Sequence, residues 1–127
     1  MDLAEQIKDS IERLNQPIET ILGVLGPSEG AGLYTMPGGQ VTRQFMDGTK
    51  DQALNFEYAI KSKNQDVASA QLWAVTNYLE GLADLPSKTD SYIFRDIAIT
   101  SKPAQSQADE QGFYYWVIDF TVNITTN

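Results

Sequence analysis

The residues able to do chemistry in this chain are few, and their spacing argues against a catalytic set. There is no His and no Cys, which removes the commonest general base, the commonest metal ligand and the thiol nucleophile. A reaction centre would have to be built from carboxylates, Lys and Tyr. Asp47 and Asp51 flank Gly48, but the run lacks the alternating acidic ligands before a glycine that a calcium loop requires, so it reads as a turn. Gly30-Ala31-Gly32 has two of the three glycines of a dinucleotide fingerprint, with Thr35 where the third belongs and no helix after it. No Lys follows a glycine loop as a phosphate-binding loop demands. Asp96 and Asp119 could be imagined as a glycosidase pair, yet strand alternation points them to opposite faces and leaves Asp119 to a structural ion pair with Arg95. Asn123-Ile124-Thr125 matches a glycosylation sequon, which has no meaning in a chain read as lacking a secretory signal.

The elements that would position these residues are legible from hydrophobic period. A chain of 127 residues is the size of one domain and buries enough surface for a real core. With 42% apolar residues, 5 Phe, 6 Tyr and 2 Trp, it is expected to fold without disulfides, as a single domain spanning residues 1–127. Leu3, Ile7, Ile11 and Leu14 fall at steps of four, four and three, the mark of a narrow amphipathic helix that Pro17 ends. Residues 18–25 are apolar but short, and lean to strand over helix. Residues 33–36 and 41–46 read as two short strands about a turn at Pro37, Gly38 and Gly39. Residues 52–62 alternate strictly, with Leu54, Phe56, Tyr58 and Ile60 on one face. Asn64 is placed to cap a second helix whose stripe is Ala68, Leu72, Val75, Leu79 and Leu82, stopped by Gly81 and Pro86. Residues 92–100 and 113–124 predict two long strands joined by a polar connection at 102–112.

Pairing those last strands so that residue numbers sum to 214 sets Arg95 opposite Asp119 and Phe94 opposite Phe120. Both faces of that hairpin then carry apolar side chains: Phe94, Trp116, Ile118 and Phe120 on one, Ile93, Ile97, Ile99 and Val117 on the other. Something must cover the second face. One reading puts one helix on each side of the sheet; the other puts a neighbouring subunit there. The expected fold is α+β: one twisted, mainly antiparallel sheet with two amphipathic helices packed on it, in the order αβββαββ.

The 17 Asp and Glu against 9 Lys and Arg leave a net charge of −8, which predicts repulsion of phosphate backbones and anionic lipids. The opening MDLAEQIKDSIERL is acidic and amphipathic where a signal peptide needs a basic start and an apolar run, and no stretch approaches a bilayer span, so the expectation is a cytosolic protein with no membrane partner.

Three segments in the middle of the chain carry a family resemblance: Pro37-Gly38-Gly39-Gln40-Val41, Met46-Asp47-Gly48-Thr49-Lys50, and Leu54-Asn55-Phe56-Glu57-Tyr58 followed by Lys61-Ser62-Lys63. The chain resembles, over most of its length, the phage minor capsid family of tailed siphophages and their prophages, understood as tail terminators. The resemblance implies a virion protein without cofactor or catalysis. It also implies a ring, commonly of six subunits, which caps the tail tube, docks the head connector and lets DNA through; a monomeric free protein is compatible with ring formation on the tail. A different head-tail joining or neck protein is the alternative, and a carboxylate-dependent enzyme is a more remote one. The resemblance brings no binding residues with it. Exposed polar loops suggest Arg43, Gln44, Asp47, Lys50 and Asp51 in one group and Lys102, Gln105, Gln107, Asp109 and Glu110 in another as interaction residues. The loop 26–32 belongs to the same expectation.

Overall fold

A computed structural model describes residues 2–23, 29–108 and 112–126. The elements follow in the order α1 (Leu3–Glu12), β1 (Thr20–Leu22), β2 (Gly30–Gln44), β3 (Lys50–Ser62), α2 (Gln65–Glu80), β4 (Ile93–Ala108) and β5 (Tyr114–Thr126). The five strands form one sheet in the order β1-β2-β3-β5-β4, antiparallel except for the short parallel pairing of β1 with β2. The αβββαββ order is thus the one the sequence implies, and the lean of residues 18–25 to strand is realised in Thr20–Leu22.

Both helices lie on the same face of the sheet. Phe56, Tyr58 and Ile60 alternate inward from β3, pair with Phe120, Ile118 and Trp116 of β5, and meet one core cluster that holds Leu3, Ile7 and Ile11 of α1 together with Leu72, Val75 and Leu79 of α2. The rings of Phe56 and Phe120 stack with centroids 5.6 Å apart. The expectation of one helix on each side of the sheet is therefore wrong. The reason lies in β4: a register shift between Phe94 and Asp96 inserts an extra residue, so Phe94, Ile97 and Ile99 face Ile124, Val122 and Phe120 and all turn toward the helices. The hairpin register expected from the sum of 214 also fails, because β4 stays paired as far as Ala108, opposite Tyr114, and the turn falls later in the chain. Asp119 stands opposite Ser101 and not Arg95, and the second face is polar where an apolar one was expected.

Two other boundaries differ from expectation. Residues 37–39 do not turn the chain. Met36 pairs with Asn55 and Gln40 with Ala53, so β2 takes four steps where β3 takes two, and the surplus is absorbed in a bulge. Gly38 has φ +98° there, and a Cβ on it would sit 2.9 Å from Asn55 Nδ2, which is why a glycine is needed. The actual turn is at residues 45–49, where Asp47 Oδ1 accepts hydrogen bonds from the Thr49 backbone N–H and hydroxyl and Gly48 has φ +93°. Secondly, β4 runs on to Ala108, so most of the segment expected as a connection is paired with β5.

The helix termini follow local chemistry. Asn64 Oδ1 accepts from the backbone N–H groups of Asp66 and Val67 at 3.1 and 3.2 Å, satisfying two of the free donors at the start of α2. α1 ends at Glu12, before Asn15 takes a left-handed φ of 53° and Pro17 follows. One buried polar group on α2, Gln71, holds the α1-to-β1 connection. Its Oε1 accepts from Ile18 N at 3.0 Å, and its Nε2 donates to Ile18 O at 2.8 Å and to Tyr58 Oη at 3.2 Å. Thr20 Oγ1 and Tyr58 Oη are 2.8 Å apart, so the tyrosine hydroxyl is satisfied in the middle of the core. Burial pushes its pKa upward.

Candidate functional site

The surface away from the helices is the open face of the sheet. Alternation places Tyr34, Asn55, Glu57, Asp119, Thr121 and Asn123 there, because their strand neighbours point into the core. These side chains form a polar ladder. Thr121 Oγ1 donates to Asn55 Oδ1 at 2.8 Å, Asn123 Nδ2 donates to Asp96 Oδ1 at 2.6 Å, and Thr125 Oγ1 donates to Asp51 Oδ1 at 2.7 Å while accepting from Arg95 Nε at 2.8 Å. Asp96 is opposite Asn123, four residues along β5 from Asp119 and on the same face, so the bulge in β4 brings both aspartates to one face where strict alternation had separated them.

At the centre of this face, Tyr34, Glu57 and Asp119 stand in one cross-strand row on β2, β3 and β5. Tyr34 Oη donates to Glu57 Oε1. Asp119 is partly buried, and among the described residues its Oδ1 has no hydrogen-bond partner. Burial, with Glu57 adding to it, pushes the Asp119 carboxyl up from 3.8 to about 6, because a second negative charge beside the first is opposed. The Tyr34 phenol is raised as well, first by burial and then by Glu57. The row thus sets two carboxyls and a phenol side by side across three strands.

The ten residues singled out from the sequence fall into two places. Arg43 and Gln44 end β2, Asp47 is in the turn, and Lys50 and Asp51 open β3, so these five surround one hairpin tip. The tip is exposed and also apolar: Phe45 is 39% and Met46 fully accessible, with the Arg43 guanidinium 5.2 Å from the Phe45 ring centroid. Lys102, Gln105 and Gln107 lie on β4, and two of them bond to α2 within the chain: Lys102 Nζ pairs with Glu80, and Gln105 Oε1 accepts from Gln65 Nε2 at 3.3 Å. Gln107 pairs with Tyr115 along the ladder. Asp109 and Glu110 lie outside the described residues, as do residues 26–28 of the loop expected at 26–32, whose residues 30–32 instead open β2.

Sequence reasoning missed Asp2. Its Oδ1 accepts from the hydroxyls of Ser87, Thr89 and Ser91 and its Oδ2 from the Lys88 N–H at 2.8 Å, clasping the start of α1 to the loop before β4. These hydrogen bonds, led by Ser87, hold its carboxyl well below the usual range. The cluster of Ser and Thr at 87–91 was the signal.

Among the described residues no group of three or more acidic, His or Cys side chains is arranged to hold a metal ion, and no helix is long and apolar enough to cross a membrane. Comparison with known proteins decides the identity. The model of the bacteriophage tail terminator protein family matches residues 2–126. The chain belongs to that family. It is a structural protein of the phage tail, and the resemblance read from residues 37–63 is borne out over nearly the whole chain. No curated protein matches it. Among solved structures it is similar to a chain in the virion of a native gene transfer agent particle, with a TM-score of 0.62 and 15% identity over 96% of this chain and 91% of that one. At that identity the likeness concerns the fold of the tail terminator alone.

Proposed function

We propose that this tail terminator works as one domain in a closed homo-oligomeric ring, of six copies as its family resemblance implies, at the head-proximal end of the tail. There it caps the tail tube and offers the head connector a docking surface, with no cofactor and no catalysis. The observation that carries the reading is the family match over residues 2–126; the gene transfer agent virion that holds a chain of similar fold is consistent with it. The open sheet face suits the lumen of such a ring. Asp51, Glu57, Asp96 and Asp119 lie on it, and carboxylates lining a channel keep passing DNA from adhering. Before assembly the protein is in the host cytoplasm.

Electron microscopy of the purified protein mixed with tail tubes tests the reading. One ring of density is expected at one end of each tube; tubes that stay bare while portal complexes acquire the density would favour a neck protein instead. The charge argument has its own check. Double-stranded DNA at physiological salt is expected to give no retarded band in a gel-shift titration, and a sub-micromolar binding constant would overturn it.

A further inference from the structure

We propose that the bulges of β2 and β4 are a guard that keeps free copies of this chain from zipping together edge to edge. The inference goes beyond the ring reading, since it concerns the chain before any assembly. Copies that gather at a tail end must not first add to one another as open-ended sheets.

The sheet has two open edges. β1 pairs only with residues 31–33 of β2, so further along β2 has no strand on its outer side among the described residues, and its residues 35–44 are exposed. β4, 16 residues long, pairs with β5 and has no strand on its other side among the described residues. An unpaired strand presents a row of free backbone N–H and C=O groups, a template on which another chain can add. Two different edges on one molecule allow that addition to repeat without closing.

The interruptions of the ladder fall on those two strands. The inner pair, β3 and β5, keeps one register without a shift from Lys50 opposite Thr126 to Ser62 opposite Tyr114. β2 has two shifts against β3, β4 has four against β5, and in each the surplus residues belong to the edge strand. A bulge leaves a residue unpaired, bends the strand and increases its twist, which spoils the straight edge that an incoming strand needs. The prolines that lie in the described strands sit at the same places. Pro37 falls in the shift between Met36 and Gln40, and Pro103, next to Lys102, in the shift between Ser101 and Ala104. Proline has no N–H to offer a new neighbour.

Two variants each straighten one edge. The first carries Pro37→Thr and lacks Gly38 and Gly39, so that β2 takes two steps from Met36 to Gln40 as β3 does from Asn55 to Ala53. The second lacks Pro103, so that β4 takes two steps from Ser101 to Ala104 as β5 does from Asp119 to Val117. Because they alter different strands, loss of fold in one, read by circular dichroism, leaves the other to decide. In sedimentation at rising concentration, a straightened variant is expected to reach about twice or more the weight-averaged mass of the unmodified chain. Adding Val41→Lys to the first variant, at an exposed position of the edge strand, is expected to return the mass to that of the unmodified chain, because an edge lysine opposes pairing. Folded variants that gain no mass would show that the bulges only shape the sheet, and would overturn the proposal. Association that persists with Val41→Lys would also overturn it, since it would come from misfolding and not from the edge. So would an unmodified chain whose own association is abolished by Val41→Lys, because the edge would then be a contact and not a guarded surface.

Discussion

Leu72→Ala or Leu79→Ala is expected to destabilise the domain by about 2–5 kcal/mol, read as a lowered midpoint in urea or guanidinium denaturation. Both side chains are fully buried, and their helix packs on β3, β4 and β5 at once. The truncation removes apolar contact and leaves a cavity that strands held by ladder hydrogen bonds cannot close. Trp73→Ala on the same helix is the control, since that ring is 45% exposed and its loss should cost far less. A loss below about 1 kcal/mol for both leucines would contradict the packing of α2.

The residues that made this helix legible show what sequence reasoning reaches. The stripe Ala68, Leu72, Val75, Leu79 is a local pattern with a local cause, and so are the Asn64 cap and the alternation of residues 52–62. Each survives in the structure because the sheet and helices ask for the same side chains that the pattern offers. The errors arise where a neighbouring strand decides. Pro37-Gly38-Gly39 has the composition of a turn, but uninterrupted β3 runs alongside and converts it to a bulge. Lys102, Gln105 and Gln107 have the polarity of a loop, but β5 is long enough to pair with them. A single extra residue near Arg95 moves Ile97 and Ile99 to the core face and Asp96 to the face of Asp119. No period in the sequence reports a bulge. The candidate surface was legible by halves for the same reason: Arg43, Asp47 and Lys50 mark the hairpin tip, whereas the row of Tyr34, Glu57 and Asp119 exists only once β2, β3 and β5 have paired.

Lowering the pH from 7 toward 5 is expected to relieve a strain on the open face, and Asp119→Asn is expected to remove that response. Asp119 titrates near 6 in the folded chain against 3.8 for the free side chain. The folded state therefore binds more protons than the unfolded state between those values, so this group's contribution is fully present below about pH 4 and is lost as the pH rises through 6. A shift of this size corresponds to about 3 kcal/mol. Solvent on the open face screens the interaction and reduces the effect to on the order of 1 kcal/mol. Glu57 on β3 and Tyr34 on β2 are the titratable groups in the same row, and the Tyr34 hydroxyl is already committed to Glu57. Asp119→Asn should accordingly raise stability at pH 7 and flatten the denaturation midpoint between pH 5 and 7, while leaving the leucine-dependent core unchanged. Asp2 has the opposite sign, since its hydrogen bonds to Ser87 and its neighbours favour the charged form; its contribution holds above pH 4 and fades in stronger acid, outside the window of the measurement. A variant whose midpoint changes with pH as the unmodified chain's does would show that Asp119 is not the group responsible. If the carboxylate row lines a ring lumen as proposed and keeps DNA from adhering, the substitution should weaken that repulsion even as it makes the subunit more stable.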